Sequence, residues 1–320
     1  MITASAPGKI ILFGEHAVVY GRPALAAPVT QVHVDVEVLD SHRTGIWIDA
    51  QDIDLHAELN MLPSDHPIAS VIHNFLFISR VSPFPNLEIK ITSTIPVASG
   101  LGSGAAVTVA LVRAISSHLD FPMTDEEVSS FTYEIEKIHH GTPSGIDNTV
   151  VTYAKPVYFV KRFPSPSGRG DRGEGMIETF KVGHPFTIVI ADTGISAPTK
   201  ESVGDVHRLW EADQAKWEGV FDQVGEIAKQ ARSAIERGKM KELGELMDQN
   251  HKLLQEMTVS SPELDTLVSA AKKAGVLGAK LSGGGRGGNM IALVESSQAE
   301  SVARLLMDAG AKSTIITQVS

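Results

Sequence analysis

The sequence predicts a two-domain α+β protein. Its 320 residues are enough for two separately packed cores, and 42% of them are hydrophobic. Segments of strand character alternate with segments of helical periodicity. Near the C-terminus the order helix, strand, strand, helix, strand indicates an antiparallel sheet backed by helices, a ferredoxin-like arrangement. We place the two domains at residues 1–182 and 183–320.

Composition excludes several classes of function. The chain has 38 acidic and 28 basic residues, a net charge of −10, which argues against a nucleic-acid partner. It contains no cysteine, so disulfides, thiolate zinc sites and a cysteine nucleophile are excluded. No apolar run is long enough to cross a bilayer, and the N-terminus lacks the features of a signal peptide. We expect a cytoplasmic protein without a membrane partner.

The N-terminal region combines strands with a compact polar turn. Residues 2–13 have strand character and contain Lys9, and Gly14-Glu15-His16 follows directly. Taken alone, Glu15 or His16 is more typical of an ordinary polar turn between apolar strands. Val32 to Val38 alternates strictly between apolar and polar residues, which predicts a half-buried strand.

A glycine-rich stretch, Pro96 to Ala106, joins a predicted strand (Leu87–Ile95) to a predicted helix that runs to about His118. Strand, glycine turn and helix N-terminus together favour an anion site, because the first helical N–H groups lack intrahelical acceptors. The stretch matches neither GxxxxGK[S/T] nor GxGxxG. An ordinary tight turn remains the alternative for this stretch taken alone.

A second helix and a turn-rich loop follow. Thr124 and Glu127 form a capping box at the start of a helix whose apolar residues continue to Ile138. The loop Gly141-Thr-Pro-Ser-Gly-Ile-Asp-Asn148 comes next and is a candidate site loop. We predict strands at Val150–Tyr153 and Val157–Lys161.

The second half is more helical and ends in the ferredoxin-like pattern. Thr187 to Ala191 predicts a buried strand, and long amphipathic segments follow it. Ser261 and Pro262 begin a helix as cap and first helical residue. Strands at Leu277–Leu281 and Met290–Val294 flank a glycine-rich turn, and a helix and a final strand, Ser313–Val319, close the chain.

Three motifs in this order resemble the GHMP small-molecule kinases. They are Ser5-Ala-Pro-Gly-Lys9 with Gly14-Glu-His16, Pro96 to Ala106, and Lys280-Leu-Ser-Gly-Gly-Gly-Arg-Gly-Gly288. The resemblance implies an N-terminal mixed α/β domain, a C-terminal ferredoxin-like domain and an active site in the cleft between them. Residues 6–21 and 141–148 are similar to the members that phosphorylate mevalonate. The implied activity is ATP-dependent phosphorylation of its 5-hydroxyl.

The resemblance also implies roles for individual residues. Asp147 would accept or orient the hydroxyl proton, and Lys9 would keep this carboxylate ionised. Ser103 and Glu136 would bind Mg²⁺. Glu15, His16 and Thr142 would lie near the substrate, although Glu15 could instead only brace the loop. The nucleotide would contact Pro96, Ser99, Gly100, Leu101, Gly102, Ser103, Gly104, Ala105, Gly284 and Arg286.

Two departures from the family pattern leave alternatives open. Gly104 stands where the family usually has a second serine, and Arg286 interrupts a run of glycines. Arg286 would be strained at a positive φ but would add a forked cation beside the phosphates. The alternatives are another GHMP kinase, acting on phosphomevalonate or a sugar, and a non-catalytic nucleotide-binding relative. The oligomeric state is open, with a homodimer as one alternative.

Overall fold

The computed structural model describes residues 1–96, 99–140, 143–161, 176–196 and 199–320. The chain forms two compact units. Unit 1 comprises Met1–Gly8, Val32–Val97 and Leu101–Ala154, and unit 2 comprises Lys9–Gln31, Ala98–Gly100 and Lys155–Ser320. These units are drawn differently from the segments 1–182 and 183–320, which stay a prediction about the domains.

The described residues contain the following elements. The strands are β1 (Ile2–Phe13), β2 (Pro23–Asp40), β3 (Ile46–Ala50), β4 (Leu55–Glu58), β5 (Leu87–Ser93), β6 (Val157–Val160), β7 (Met176–Thr179), β8 (Phe186–Asp192), β9 (Gly278–Ser282), β10 (Asn289–Val294) and β11 (Ser313–Val319). The helices are α1 (Pro67–Ser79), α2 (Ser103–His118), α3 (Asp125–His140), α4 (Ile146–Tyr153), α5 (Thr199–Ala212), α6 (Gln214–Glu236), α7 (Met240–Glu256), α8 (Pro262–Lys273) and α9 (Ala299–Asp308).

Unit 1 combines strand pairing with four mutually packed helices. The second half of β2 pairs antiparallel with β5, and β3 runs parallel to β5 and antiparallel to β4. Val34, Val36 and Val38 are fully buried while the polar residues between them are partly exposed, which confirms the half-buried strand. Helices α1 to α4 pack against one another.

The prediction of a strand at Val150–Tyr153 is wrong, because these residues form the second half of α4. Val150, Val151 and Thr152 are buried in this helix. A short apolar run rich in β-branched residues does not distinguish a buried strand from a buried helical turn. The helix is fixed at its start, where the Thr149 hydroxyl donates to the Gly145 carbonyl at 2.7 Å. The strand that follows it, β6, is confirmed.

Unit 2 contains an antiparallel sheet in the order β11-β8-β10-β9. The order α8, β9, β10, α9, β11 confirms the predicted C-terminal pattern. The core of this unit lies between the sheet and the helices, with Val189 and Met290 from the strands and Phe221 and Leu254 from the helices. The first half of β2 pairs with β6 in the same unit.

Helix α7 covers the outer edge of strand β9. A Cβ added at Gly244 of α7 would lie 2.2 Å from the Leu277 carbonyl oxygen, so helix and strand backbones are in direct contact. The Ala279 N–H donates to the Asp248 carboxylate at 3.0 Å, and the Leu281 N–H donates to His251 Nδ1 at 3.3 Å. Side chains of the helix therefore accept hydrogen bonds from the strand edge.

Among the helices in the described ranges, none is long and apolar enough to span a membrane.

Candidate active site

The glycine turn before α2 places a helix N-terminus at the surface of unit 1. Leu101 is buried, Gly102 has a left-handed backbone with φ of 75°, and Ser103 is the first residue of the helix. The Ala106 N–H donates to the Gly102 carbonyl at 3.0 Å, which closes the first helical turn. The N–H groups before it point out of the helix end, where an anion is stabilised.

Glu136 of α3 lies beside this helix end. A Cβ built on Gly104 would lie 3.4 Å from Glu136 Oε1, and the carboxyl side chain is only 8% exposed. A hydroxyl at the helix start and a sheltered carboxylate are oxygen ligands of the kind that Mg²⁺ prefers. Within the described ranges no group of three or more His, Cys, Asp or Glu side chains could hold a metal. A Mg²⁺ held by Ser103 and Glu136 would therefore need further oxygens from phosphate or water.

Asp147 lies in the first turn of α4 and is partly exposed. The residue before the helix, Gly145, has a left-handed φ of 90° and turns the chain into α4. The next residue, Asn148, fixes this end to α3, because its amide donates to the carbonyl and hydroxyl oxygens of Ser129 at 3.1 and 3.0 Å. Thr142 lies outside the described residues.

Lys9 and the Gly14-Glu15-His16 turn belong to unit 2. Lys9 lies within β1 and is 7% exposed. Gly14 has a φ of 93°, and a Cβ there would lie 2.4 Å from the Pro23 carbonyl oxygen, so only glycine fits this turn. The short helix Ala17–Tyr20 follows it. Glu15 and His16 are therefore held in fixed positions, and both are buried.

Glu15 forms a buried ion pair with Lys280 of β9, and the two side chains are 1% and 0% exposed. Its second carboxylate oxygen accepts a hydrogen bond from the Asn250 amide of α7 at 3.0 Å. Lys280 also donates to the Leu281 carbonyl at 2.6 Å. Burial lowers the pKa of Lys280, and the neighbouring carboxylate opposes this effect. Glu15 thus joins the turn Gly14–His16 to strand β9, which leads into the second glycine-rich turn, Gly283–Gly288.

His16 is a neutral side chain with a defined tautomer. Its Nε2 lies 3.1 Å from the Gly284 carbonyl oxygen, which can only accept, so Nε2 carries the proton. Burial, and to a smaller extent the positive charge of Arg286, lower the pKa of His16 to about 4, against the opposing effect of the hydrogen bond to the Gly284 carbonyl. Nδ1 is therefore an acceptor, and it is buried without a hydrogen-bond partner in the described part of the chain. A hydroxyl group is the kind of donor that would satisfy it.

The turn Gly283–Gly288 joins β9 to β10, and its side-chain cation points away from the glycines. Arg286 has a φ of 55°, and its guanidinium contacts Asp205 and Thr258. At the end of the turn, the Asn289 amide donates to the Ser99 carbonyl, which brings part of the first glycine stretch to this turn within unit 2.

Comparison with known proteins identifies the family. Residues 68–155 match the GHMP kinases N terminal domain, and residues 231–310 match the GHMP kinases C terminal domain. The mevalonate kinase of Pyrococcus abyssi is 35% identical over 340 residues, which cover 100% of this chain and 96% of that protein. The chain belongs to the mevalonate kinase family, within the GHMP kinases.

Solved structures extend the match to the fold. The L. major mevalonate kinase in complex with R-mevalonate has a TM-score of 0.85 and 29% identity, with 99% of this chain and 95% of that chain covered. The Streptococcus pneumoniae phosphomevalonate kinase, in complex with phosphomevalonate and AMPPNP, has a TM-score of 0.83, with 100% of both chains covered. At 19% identity it shows a shared fold alone. The two-domain GHMP kinase fold expected from the sequence is confirmed.

The structure groups the expected mevalonate kinase residues in two sets. Unit 1 holds Ser103, Gly104 and Glu136 at the start of α2, together with Asp147 at the start of α4. Unit 2 holds Lys9, the Glu15–His16 turn and the glycine turn with Gly284 and Arg286. Pro96 and Ala105 belong to unit 1, and Ser99 and Gly100 to unit 2.

Sequence reasoning missed the residues that hold the turns in place. Lys280 was part of a recognised motif but had no role, although a lysine within an apolar strand is an unusual signal of a buried ion pair. Asn250, Asn289 and Asp205 gave no such signal, because amphipathic helices and strand ends commonly carry these residue types.

Proposed function

We propose that the protein transfers the terminal phosphoryl group of ATP to the 5-hydroxyl of mevalonate, giving 5-phosphomevalonate and ADP. The observation that carries this proposal is the similarity to mevalonate kinases along the whole of both chains. The motifs at residues 6–21 and 141–148 agree with it. Membership in the family supports ATP as the phosphoryl donor.

Residues of unit 1 would handle the nucleotide and the metal. The N-terminus of α2 stabilises phosphate oxygens through its N–H groups. Ser103 and Glu136 are the proposed protein ligands of Mg²⁺, which supplies charge neutralisation on the phosphates when bound. The closeness of Glu136 to the first turn of α2 supports this assignment.

Asp147 and Lys9 are the proposed catalytic residues. Asp147 would hold or accept the proton of the attacking hydroxyl, and Lys9 would keep it ionised and offset charge on the moving group. The loose transition state of phosphoryl transfer needs little help from a base, so Asp147 acts either as base or as positioning group.

His16 is the proposed contact for a substrate hydroxyl. Its proton is held on Nε2 by the Gly284 carbonyl, which leaves Nδ1 as an acceptor. Glu15 is satisfied by Lys280 and Asn250, which supports the role of bracing the turn over direct substrate contact. Thr142 remains a proposed substrate residue from the family pattern. Cytoplasmic location and a homodimer stay predictions.

A substrate panel tests the proposal. Release of ADP is followed with mevalonate, phosphomevalonate, galactose and homoserine, and the product is identified by phosphorus NMR. We expect turnover with mevalonate alone and a phosphomonoester at its primary carbon. Preference for another substrate of the panel would assign the chain to a different GHMP kinase activity.

The same assay tests the non-catalytic alternative. Such a relative would bind ATP without turnover, and Gly104→Ser together with Arg286→Gly would then restore activity. The presence of Lys9, Glu136 and Asp147 favours an active enzyme, because a protein that only binds nucleotide does not need all three.

A further inference from the structure

The glycine turn between β9 and β10 contains one large side chain, which is anchored elsewhere in unit 2. Arg286 has a left-handed φ of 55°, a conformation that glycine adopts more easily. Its Nε–H donates to the Thr258 carbonyl at 3.0 Å, and Nη1 forms an ion pair with the Asp205 carboxylate. The guanidinium thus connects the turn to α5 and to the segment between α7 and α8.

The backbone of the turn is anchored at the same place. The Arg286 N–H donates to the Val259 carbonyl at 2.6 Å. A Cβ at the preceding residue, Gly285, would lie 2.1 Å from that carbonyl oxygen, so the two backbones touch. Thr258 itself has a φ of 60°, which is rare for a β-branched residue and persists where surrounding contacts impose it.

Asp205 is the acidic partner on which this anchor depends. It is 20% exposed, more sheltered than Arg286 at 39%. A second cation, Arg208, pairs with the same carboxylate from the next turn of α5 but is 72% exposed. Arg208 makes no contribution to the glycine turn through these contacts, which makes it a matched control.

We propose that Arg286 is a positioning residue that acts through Asp205 and Thr258 to hold the turn Gly283–Gly288 in the conformation that receives the nucleotide. This inference rests on the proposed function, in which the turn contacts ATP. In this proposal the guanidinium acts on the turn, because its Nε–H and one Nη1–H are directed to Thr258 and Asp205. Arginine at a glycine position is thereby explained by the contacts of its side chain.

A double-mutant cycle on nucleotide binding tests the proposal. Affinity for MgATP is measured by calorimetry for wild type, Arg286→Ala, Asp205→Ala and the double variant, with Arg208→Ala as control. We expect each single variant to weaken binding by about threefold to tenfold and the double variant to be no weaker than either. Arg208→Ala is expected to bind as wild type does.

Steady-state kinetics separate positioning from general damage. We expect the KM for ATP to rise in both single variants while the melting temperature stays unchanged. Arg286→Gly removes the guanidinium contacts and also the strain of a non-glycine residue at a φ of 55°. This variant should therefore fold and still show the higher KM for ATP.

Three results would overturn the proposal. Weaker binding in Arg286→Ala with unchanged or tighter binding in Asp205→Ala would mean that the guanidinium contacts phosphate directly. Wild-type affinity in all variants would mean that the anchor has no effect on nucleotide. Additive losses would mean that the two residues act separately. The double-mutant cycle measures nucleotide binding and not turnover. If the wild-type protein binds MgATP but does not phosphorylate mevalonate, only the proposed function is contradicted.

Discussion

Glu15 and Lys280 are 265 residues apart in the sequence and form a buried ion pair in unit 2. Neither charge is accessible to solvent, so each depends on the other and on Asn250 and the Leu281 carbonyl for compensation. The pair connects the turn that carries His16 with strand β9, which leads into the turn Gly283–Gly288.

Loss of Lys280 alone should be strongly destabilising. Lys280→Met leaves a buried carboxylate, and we expect the free energy of unfolding to fall by about 3–5 kcal/mol. Glu15→Gln combined with Lys280→Met should lose less than the single lysine variant, because no charge remains buried. Lys229→Met removes an exposed pair with Glu226 and should cost at most about 1 kcal/mol. Chemical denaturation measures all three, and equal losses would contradict the burial argument.

Asp147→Asn and Lys9→Met should each abolish phosphoryl transfer without preventing ATP binding. We expect turnover to fall by about 100-fold or more, because a placed proton acceptor or its charge partner is removed. ATP affinity should change by less than about threefold. Turnover comes from ADP release and affinity from calorimetry. Wild-type turnover in either variant would refute the roles assigned to these residues.

Gly104→Ser should ease the requirement for Mg²⁺. Its Cβ would lie 3.4 Å from Glu136 Oε1, so the added hydroxyl stands beside the proposed metal ligand. We expect the Mg²⁺ concentration for half-maximal activity to fall by about threefold to tenfold. Gly104→Ala adds the same Cβ without the hydroxyl and is the matched control. Identical Mg²⁺ dependence in the two variants would remove residue 104 from the metal site.

Stability should fall below about pH 6.5 because His16 is buried in its neutral form. Its pKa is lowered from 6.5 to about 4, so between these values the unfolded chain binds a proton that the folded chain does not. This one group should cost about 2 kcal/mol between pH 7 and pH 5.

The measurement compares the pH dependence of unfolding in wild type and His16→Gln. The variant should lack this part of the loss. A variant that loses stability as steeply as wild type would show that His16 is not the group responsible.

The glycine at position 244 should be required for the close packing of α7 on β9. Gly244→Ala would place a Cβ 2.2 Å from the Leu277 carbonyl oxygen, which forces α7 away from β9. We expect a loss of at least about 1–3 kcal/mol. Gly219→Ala in α6 meets no atom within 4 Å and should instead stabilise the helix by up to about 1 kcal/mol. Melting temperatures that move in the same direction would contradict the packing argument.

The sequence predicted most elements because their local patterns agree with their environments. Thr124 and Glu127 form the expected capping box, with the Thr124 N–H donating to the Glu127 carboxylate at 2.8 Å. The Ser261 hydroxyl accepts from the Leu264 N–H at 3.3 Å at the start of α8. Val150 and Val151 misled the prediction, because the helix there is decided by packing inside unit 1 and not by local preference.

The site was predictable as a set of motifs and not as a set of contacts. The order of the two glycine-rich turns and the Gly14-Glu15-His16 motif suffices to indicate the family. Lys280 is 265 residues from Glu15, Gly284 is 268 residues from His16, and Asp205 is 81 residues from Arg286. No periodicity links a carboxylate to Lys280 or a guanidinium to Asp205. Such partners follow from how the chain closes on itself, which a single sequence does not encode locally.

Helix α7 has a consequence for self-association. Strand β9 ends its sheet, and the N–H groups of Ala279 and Leu281 already donate to Asp248 and His251. A strand from a neighbouring molecule would have to displace both side chains and the helix that carries them before it could add to this edge. Growth of the sheet into a fibre is therefore blocked on that side by the native fold.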